Sequence, residues 1–347
     1  MAYTTIDDPT QFFTAFLWTG DGTSPKSFTG VGFQADMMWS KIRTDNHQHN
    51  IVDTVRGVDQ RLLMPNSTNA EDTTCTHGHF DSLDSDGFTI TGAGGYWNVN
   101  TNAENYVGWL WKGGGSASSN SDGSITSSVS ANTTAGFSIV SYTGTGSNAN
   151  VGHGLTSAPE LIITKSRSAT GDWKVHTSAI DGSWDVGTLN STAAFGNSSY
   201  TASTSSIFYV GSGAPTNASS VTYVSYLLHS VKGYSKIGAY RGSSGNSFIY
   251  TGFKPAFLLV KSNSYSSGNW RIYDNKRSTS GFNVIDDSLR PNTSAAEIDE
   301  TSVDFLSNGF KYRANVTDAD SGGTDYIYYA VAESPFVNSN GVPTNAR

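Results

Sequence analysis

Two short runs gather side chains that can hold a metal: His47-Gln48-His49 and Cys75-Thr76-His77-Gly78-His79. On a strand, residues two apart point to the same side, so either run offers paired ligands to one ion. His47, His49, Cys75, His77 and His79 are therefore the metal candidates. The plain alternative is polar loop residues, because neither run recurs further along the chain. Asp81-Ser82-Leu83-Asp84-Ser85-Asp86-Gly87 alternates oxygen donors before a glycine, as calcium loops do. The bidentate Glu such a loop needs six residues after its glycine is absent, since position 93 is Ala. A hairpin turn is the better reading there.

Other catalytic constellations are missing. No GxSxG elbow, HExxH helix, P-loop or dinucleotide fingerprint occurs, and Asp and Glu together number only 29. Glycoside hydrolysis would need two carboxylates brought together from separate strands, and few candidates exist. The expectation is a protein that is not an enzyme and uses no cofactor. Aromatic side chains can instead stack on sugar rings. Tyr96, Trp97 and Trp184, set among Gly, Asn and Ser, are the glycan-contact candidates, whereas Trp109, Trp111, Trp173 and Trp270 fall where packing is expected.

The elements that must position these groups are strands. The chain has 347 residues, of which 50 are Ser, 38 Thr, 26 Asn and 37 Gly, while only 14% are charged. Those four types disfavour helix, and 12% aromatic content supplies cores, so an all-β protein is expected. A net charge of −8 with no basic stripe argues against nucleic acid. The one cysteine excludes an internal disulfide. Asp7 and Asp8 stand where a secretory leader would be basic, and the longest apolar stretch, Ala256 to Val260, is too short to span a membrane.

An internal repeat of about 100 residues organises the chain. Each copy opens on an aromatic and a glycine turn: Trp18-Thr19-Gly20, Tyr142-Thr143-Gly144, Tyr240-Arg241-Gly242. An apolar run then ends in Lys41, Lys165 or Lys261, whose stem is expected to cover apolar surface while the ammonium reaches water. Asp53 and Asp274 match one another, with Thr177 between them in copy two. The closing strands alternate with period two: Val107, Trp109 and Trp111 share a face, as do Val224, Tyr226 and Leu228, then Ile327, Tyr329 and Val331. That face reads as core and the opposite one as partly wet. Asp86-Gly87 and Asn308-Gly309 read as hairpins with positive φ angles.

The spacing of the lysines, 124 and then 96 residues, leaves a surplus near the 25-residue Gly/Ser-rich segment 112–136. The expected architecture is three tandem β-sandwich repeats of lectin or jelly-roll type. Their boundaries are an N-terminal arm 1–12, repeats 13–111, 137–233 and 234–336, a linker 112–136 and a tail 337–347. Repeat one is expected to sit slightly apart, with repeats two and three packed rigidly. The linker retains one other option, since Ile125 and Val129 would let it lie along a sheet.

Several stretches resemble repeat-containing virion proteins of tailed bacteriophages, mostly marine ones such as cyanophages. These are Gly123 to Val140, Gly152 to Leu161, Tyr250 to Phe257 and the closing Glu333 to Arg347. The likeness spans nearly the whole chain. Repeat one departs from it at Ala35-Asp36, where the other repeats have Pro159 and Pro255. The resemblance implies a structural role in a phage particle, as a tail-fibre or appendage component in host attachment, or else as a head decoration protein; a polysaccharide depolymerase is a further alternative. On that reading the protein is expected on the virion, docked to other virion proteins through the N-terminal arm, in contact with host-surface glycan, and as a homo-oligomer, with a trimer favoured.

Overall fold

A computed structural model describes residues 3–75, 78–92, 99–278 and 283–344. The chain is all-β, built from several antiparallel sheets with almost no helix. Strands β1 (Phe13–Thr19), β2 (Lys26–Thr29), β3 (Met37–Ile42), β4 (Asn50–Asp53), β5 (His79–Asp84), β6 (Gly87–Thr91) and β7 (Asn105–Trp111) form the first unit. The second holds β8 (Ser118–Asn120), β9 (Ser127–Asn132), β10 (Phe137–Thr143), β11 (Ala149–Gly152), β12 (Leu161–Ser166), β13 (Lys174–Thr177), β14 (Asp185–Thr188), β15 (Gly196–Asn197), β16 (Ile207–Val210) and β17 (Thr222–Leu228). The third holds β18 (Ser235–Arg241), β19 (Phe248–Tyr250), β20 (Phe253–Ser262), β21 (Arg271–Asp274), β22 (Val284–Ser288), β23 (Ile298–Leu306), β24 (Gly309–Tyr312) and β25 (Asp325–Pro335).

One strand order recurs: β1-β7-β3-β4, β10-β17-β12-β13 and β18-β25-β20-β21. The opening and closing aromatics explain its register. Trp18 pairs with Tyr106, Tyr142 with Tyr223 and Tyr240 with Tyr326, and each pair stacks, with ring centroids 5.0, 5.3 and 5.2 Å apart. The predicted core faces all point into one common cluster: Trp109, Tyr226 and Tyr329 lie there with Val107, Val224 and Ile327. Repeat one is therefore not set apart. All three sheets close around a single core, with a residual void of only about 30 Å³ between Met37, Ile163, Tyr226 and Tyr329.

The opposite faces are not wet either. Each packs on a local core of its own, built with β5 and β6, with β11 and β16, or with β23 and β24. These sheets are buried on both sides, which is why Gly108 and Ser225 occupy the second face: a Cβ on Gly108 would lie 2.3 Å from Met38 Cε. The hairpin glycines also act differently from expectation. The loops are Ser85-Asp86 and Ser307-Asn308, and neither Gly87 nor Gly309 has a positive φ. Each is glycine because the neighbouring strand passes close: an added Cβ would sit 1.8 Å from Phe28 O or 2.0 Å from Ile249 O.

The segment 112–136 is not a free linker. Its β8 and β9 extend the second sheet at the β10 edge, and Ile125 bridges to Val151. The arm also folds back on its own chain. Ile6 is in the common core, Tyr3 Oη donates to Gly252 O at 2.7 Å, and Ser339 N donates to Asp7 Oδ1 at 2.7 Å.

Seams between units repeat one design. Glu71 N donates to Arg167 O, Phe195 N to Asn263 O and Glu297 N to Arg43 O. At two seams a buried charge chain follows. Asp53, Arg56 and Glu71 meet Arg167, while Asp274, Arg277 and Glu297 meet Arg43. The remaining seam has Thr177, Ile180, Phe195 and Asn263 in the corresponding places, and Ile180 and Phe195 pack against the common core. Thus the Asp53/Asp274 match is structural. Two of the recurrent lysines, Lys165 and Lys261, also reach across seams. All three are buried, not snorkelling: Lys165 Nζ donates to Thr68 O and Ser166 O, Lys261 Nζ to Thr192 O and Ser262 O, and Lys41 Nζ to Ile42 O and Asp45 O.

Candidate functional site

The second unit departs from the other two in its outer layer. Strands β6 and β24 each pair with a further strand, β5 and β23, whereas among the described residues β16 pairs only with β11. The sequence reason is visible: the Asp-Gly and Asn-Gly hairpin signals have no counterpart before Ile207, where Ser203-Thr204-Ser205-Ser206 stands. At the end of the β11–β16 pair a groove of about 340 Å³ opens, within the size range of small-ligand sites. Tyr209 alternates outward from β16 while Phe208 and Val210 point into the local core.

The groove wall is assembled from three separate stretches. Asn148 and Asn150 lie at the start of β11, and Ser199, Tyr200 and Thr201 come from the segment after β15. The third contribution is Ser124, from the segment expected to be a linker. Ser124 N donates to Asn150 Oδ1 at 2.7 Å, and Asn150 N donates to Ser124 Oγ at 3.1 Å. Tyr200 is fixed from behind. Its ring stacks on His176 at 4.8 Å between centroids, and its hydroxyl lies 3.1 Å from Thr216 Oγ1. Burial, with Lys174 adding to it, pushes His176 down to about 4, so that ring is neutral at pH 7.

The lining contains no Asp, Glu, Lys or Arg. It presents two tyrosine rings, amides and hydroxyls. Asn148, Ser199, Thr201 and the Tyr209 hydroxyl make no hydrogen bond to described residues, so their polar atoms are available to a ligand. Such a surface can stack on an apolar sugar face and exchange hydrogen bonds with its hydroxyls. It offers no acid–base pair.

Of the predicted glycan residues, Tyr96 and Trp97 lie outside the described residues. Trp184 is buried and belongs to the local core, lining a recess behind the groove with His176 and Tyr200. It supports the site from within and does not contact solvent as an exposed stacking platform would. Tyr200, between Ser199 and Thr201, is likewise an aromatic set among small polar residues, which is the sequence signal for it.

The metal candidates scatter. His49 is fully buried: Trp39 Nε1 donates to its Nδ1 at 3.0 Å, and its Nε2 lies 3.2 Å from Arg290 O. His47 pairs with Asp45 at the surface, so the two histidines do not converge. Burial pushes the Cys75 thiol up to about 12, with Asp72 adding to it, which leaves it protonated and a poor ligand. His77 lies outside the described residues. His79 alone joins a ligand-like group, with Asp59 and Asp81. Asp86 is committed to the backbone, accepting from Gly30 N and Gly32 N, so the acidic run is a hairpin and not a calcium loop.

No curated protein and no solved structure matches the chain. The sequence model of one family, described as a domain of unknown function (DUF7483), matches residues 8–335 and so runs through all three sheets and the segment between the first two. The chain belongs to that family.

Proposed function

We propose that this protein is a non-enzymatic structural component of a phage particle, part of a tail fibre or appendage, which holds host-surface glycan in the groove of the second unit. The observation that carries the reading is the chemistry of that groove. Two tyrosines and a set of uncharged amides and hydroxyls, with no carboxylate in the lining, favour retention of a neutral polysaccharide over its cleavage. The units are read as β-sandwiches, each with an inner sheet and an outer layer about a local core. The reading rests on the groove of the second unit, whose wall draws on Ser124 and the 199–201 stretch.

A glycan array tests it, with Tyr200→Ala and Tyr209→Ala as controls. Binding by the wild type that falls several-fold in either variant supports the proposal, since an aromatic contact contributes about 0.5–1.5 kcal/mol, roughly two- to twelvefold in affinity. No glycan bound, or equal binding by the variants, refutes it. Release of reducing ends from host polysaccharide would instead make the protein a depolymerase.

A second reading, head decoration, is favoured by three sheets of like strand order sharing one core in a single chain, which would suit a threefold position on a lattice. Gold-labelled antibody on purified particles separates the two. Label on tails supports attachment, label over heads supports decoration, and unlabelled particles refute both.

A further inference from the structure

The first unit carries a three-ligand cluster distant in sequence from the groove. His79 and Asp81 sit two apart on β5, with a β-bulge at Asp81, and Asp59 reaches them from the 54–62 loop. His79 Nε2 lies 2.8 Å from Asp81 Oδ1 and 3.2 Å from Asp59 Oδ1, and all three ligand atoms fall within 4.8 Å of one another. A cation held about 2.1 Å from each of two neighbouring donors places those donors about 3 Å apart. Two of the three separations match that spacing. The second oxygen of Asp81 accepts from Thr91 Oγ1 at 2.6 Å, which fixes the carboxylate plane as outer-shell partners do.

Charge points the same way. Among the described residues, neither Asp59 nor Asp81 forms an ion pair with a lysine or arginine; their one basic neighbour is His79. The cluster thus brings two carboxylates together with no lysine or arginine against them. Asp59 is largely exposed and the histidine about seven-eighths buried, so one side of the cluster is open to solvent. Water ligands can complete the sphere there.

We propose that Asp59, His79 and Asp81 bind one divalent first-row transition-metal ion of the zinc or manganese class. The mixed imidazole–carboxylate donor set disfavours calcium and magnesium, which take oxygen alone. The ion ties the 54–62 loop, which also carries the seam residue Arg56, to the outer hairpin of β5 and β6. In a chain with no disulfide it acts as a structural clasp. This inference is independent of the glycan reading.

The test uses untagged full-length protein, stripped with a chelator and titrated with Co²⁺ by absorbance and Zn²⁺ by calorimetry. The expected result is one equivalent bound and a melting temperature raised by the metal. Both effects should weaken at least about tenfold in apparent affinity for Asp59→Asn and His79→Gln. Asp59 is a surface residue, so its variant remains folded and keeps the test decisive. No uptake by the wild type overturns the proposal. So does uptake unchanged in Asp59→Asn, or uptake of Ca²⁺ in preference to Co²⁺.

Discussion

His49 Nε2 and the backbone oxygen of Arg290, 3.2 Å apart, join the first unit to the third. The other seams make the same junction with an indole: Trp173 Nε1 donates to Met64 O at 2.8 Å and Trp270 Nε1 to Thr188 O at 3.0 Å. Because Trp39 Nε1 donates to His49 Nδ1, the imidazole proton must reside on Nε2, where it completes the ring of three contacts.

That substitution makes one seam sensitive to acid. Burial holds the His49 imidazole well below its ordinary value, and the facing cations Lys41 and Arg277 push the same way, while the bond to Arg290 opposes them. The unfolded chain therefore binds the proton below about pH 6.5 and the folded chain does not, so this contribution to stability is lost as pH falls below 6.5. His49→Gln keeps a donor for Arg290 O and an acceptor for Trp39 but does not titrate. Between pH 7 and pH 4.5 the wild type should lose about 1–3 kcal/mol more than this variant in urea denaturation. Equal losses would remove His49 as the cause.

The charged seams should depend on complete sets of partners. Arg277 is fully buried between Asp274 and Glu297, so Arg277→Met strands two carboxylates and should cost about 3–5 kcal/mol. The second–third seam already shows an apolar solution. Replacing Arg43, Asp274, Arg277 and Glu297 together by the Asn, Thr, Ile and Phe of that seam should recover most of the loss, read as the thermal midpoint. A fourfold variant no more stable than Arg277→Met would show that the two seams are not interchangeable.

How far these relationships can be read from sequence depends on their range. The closing-strand faces were legible because period two survives in Val107-Trp109-Trp111 and its two counterparts, and all nine residues lie in the common core. The second buried face was not, since small residues such as Gly108 look wet in a pattern but are small because Met38 fills the space. Arg43 and Glu297 are 254 positions apart, and only closure of the ring brings them together. The groove escaped for a related reason. It arises from a hairpin that units one and three possess and unit two lacks, and from Ser124 in a segment whose composition reads as linker.

The N-terminal arm should matter to folding. Thr4 and Ile6 are buried, Lys232 Nζ lies 4.7 Å over the Tyr3 ring, and Asp7 holds the tail at Ser339. Deleting residues 1–12 removes these contacts together and uncovers part of the common core. A loss of about 2–4 kcal/mol is expected in urea denaturation. A truncated protein that unfolds at the same urea concentration would return the arm to the status of a free handle for another protein.

The three buried lysines predict a further rise of stability with pH, in the alkaline range. Burial is the main cause that pushes Lys41 down to about 7 and Lys165 and Lys261 to about 8 from 10.5, with Asp45 and Glu297 opposing at Lys41, Asp172 at Lys165 and Asp318 at Lys261. Below pH 7 both states hold the proton and the full desolvation cost is present. Between about pH 7 and 10.5 the unfolded chain binds more protons than the folded one, so each lysine's contribution to stability rises with pH. Lys165→Met leaves Thr68 O and Ser166 O without this donor at every pH, a fixed cost, but abolishes the titration. The stability gap between wild type and Lys165→Met should therefore widen by about 1–2 kcal/mol from pH 7 to pH 9.5. A gap that stays constant would mean that Lys165 remains charged throughout, with its carbonyl cage offsetting the burial.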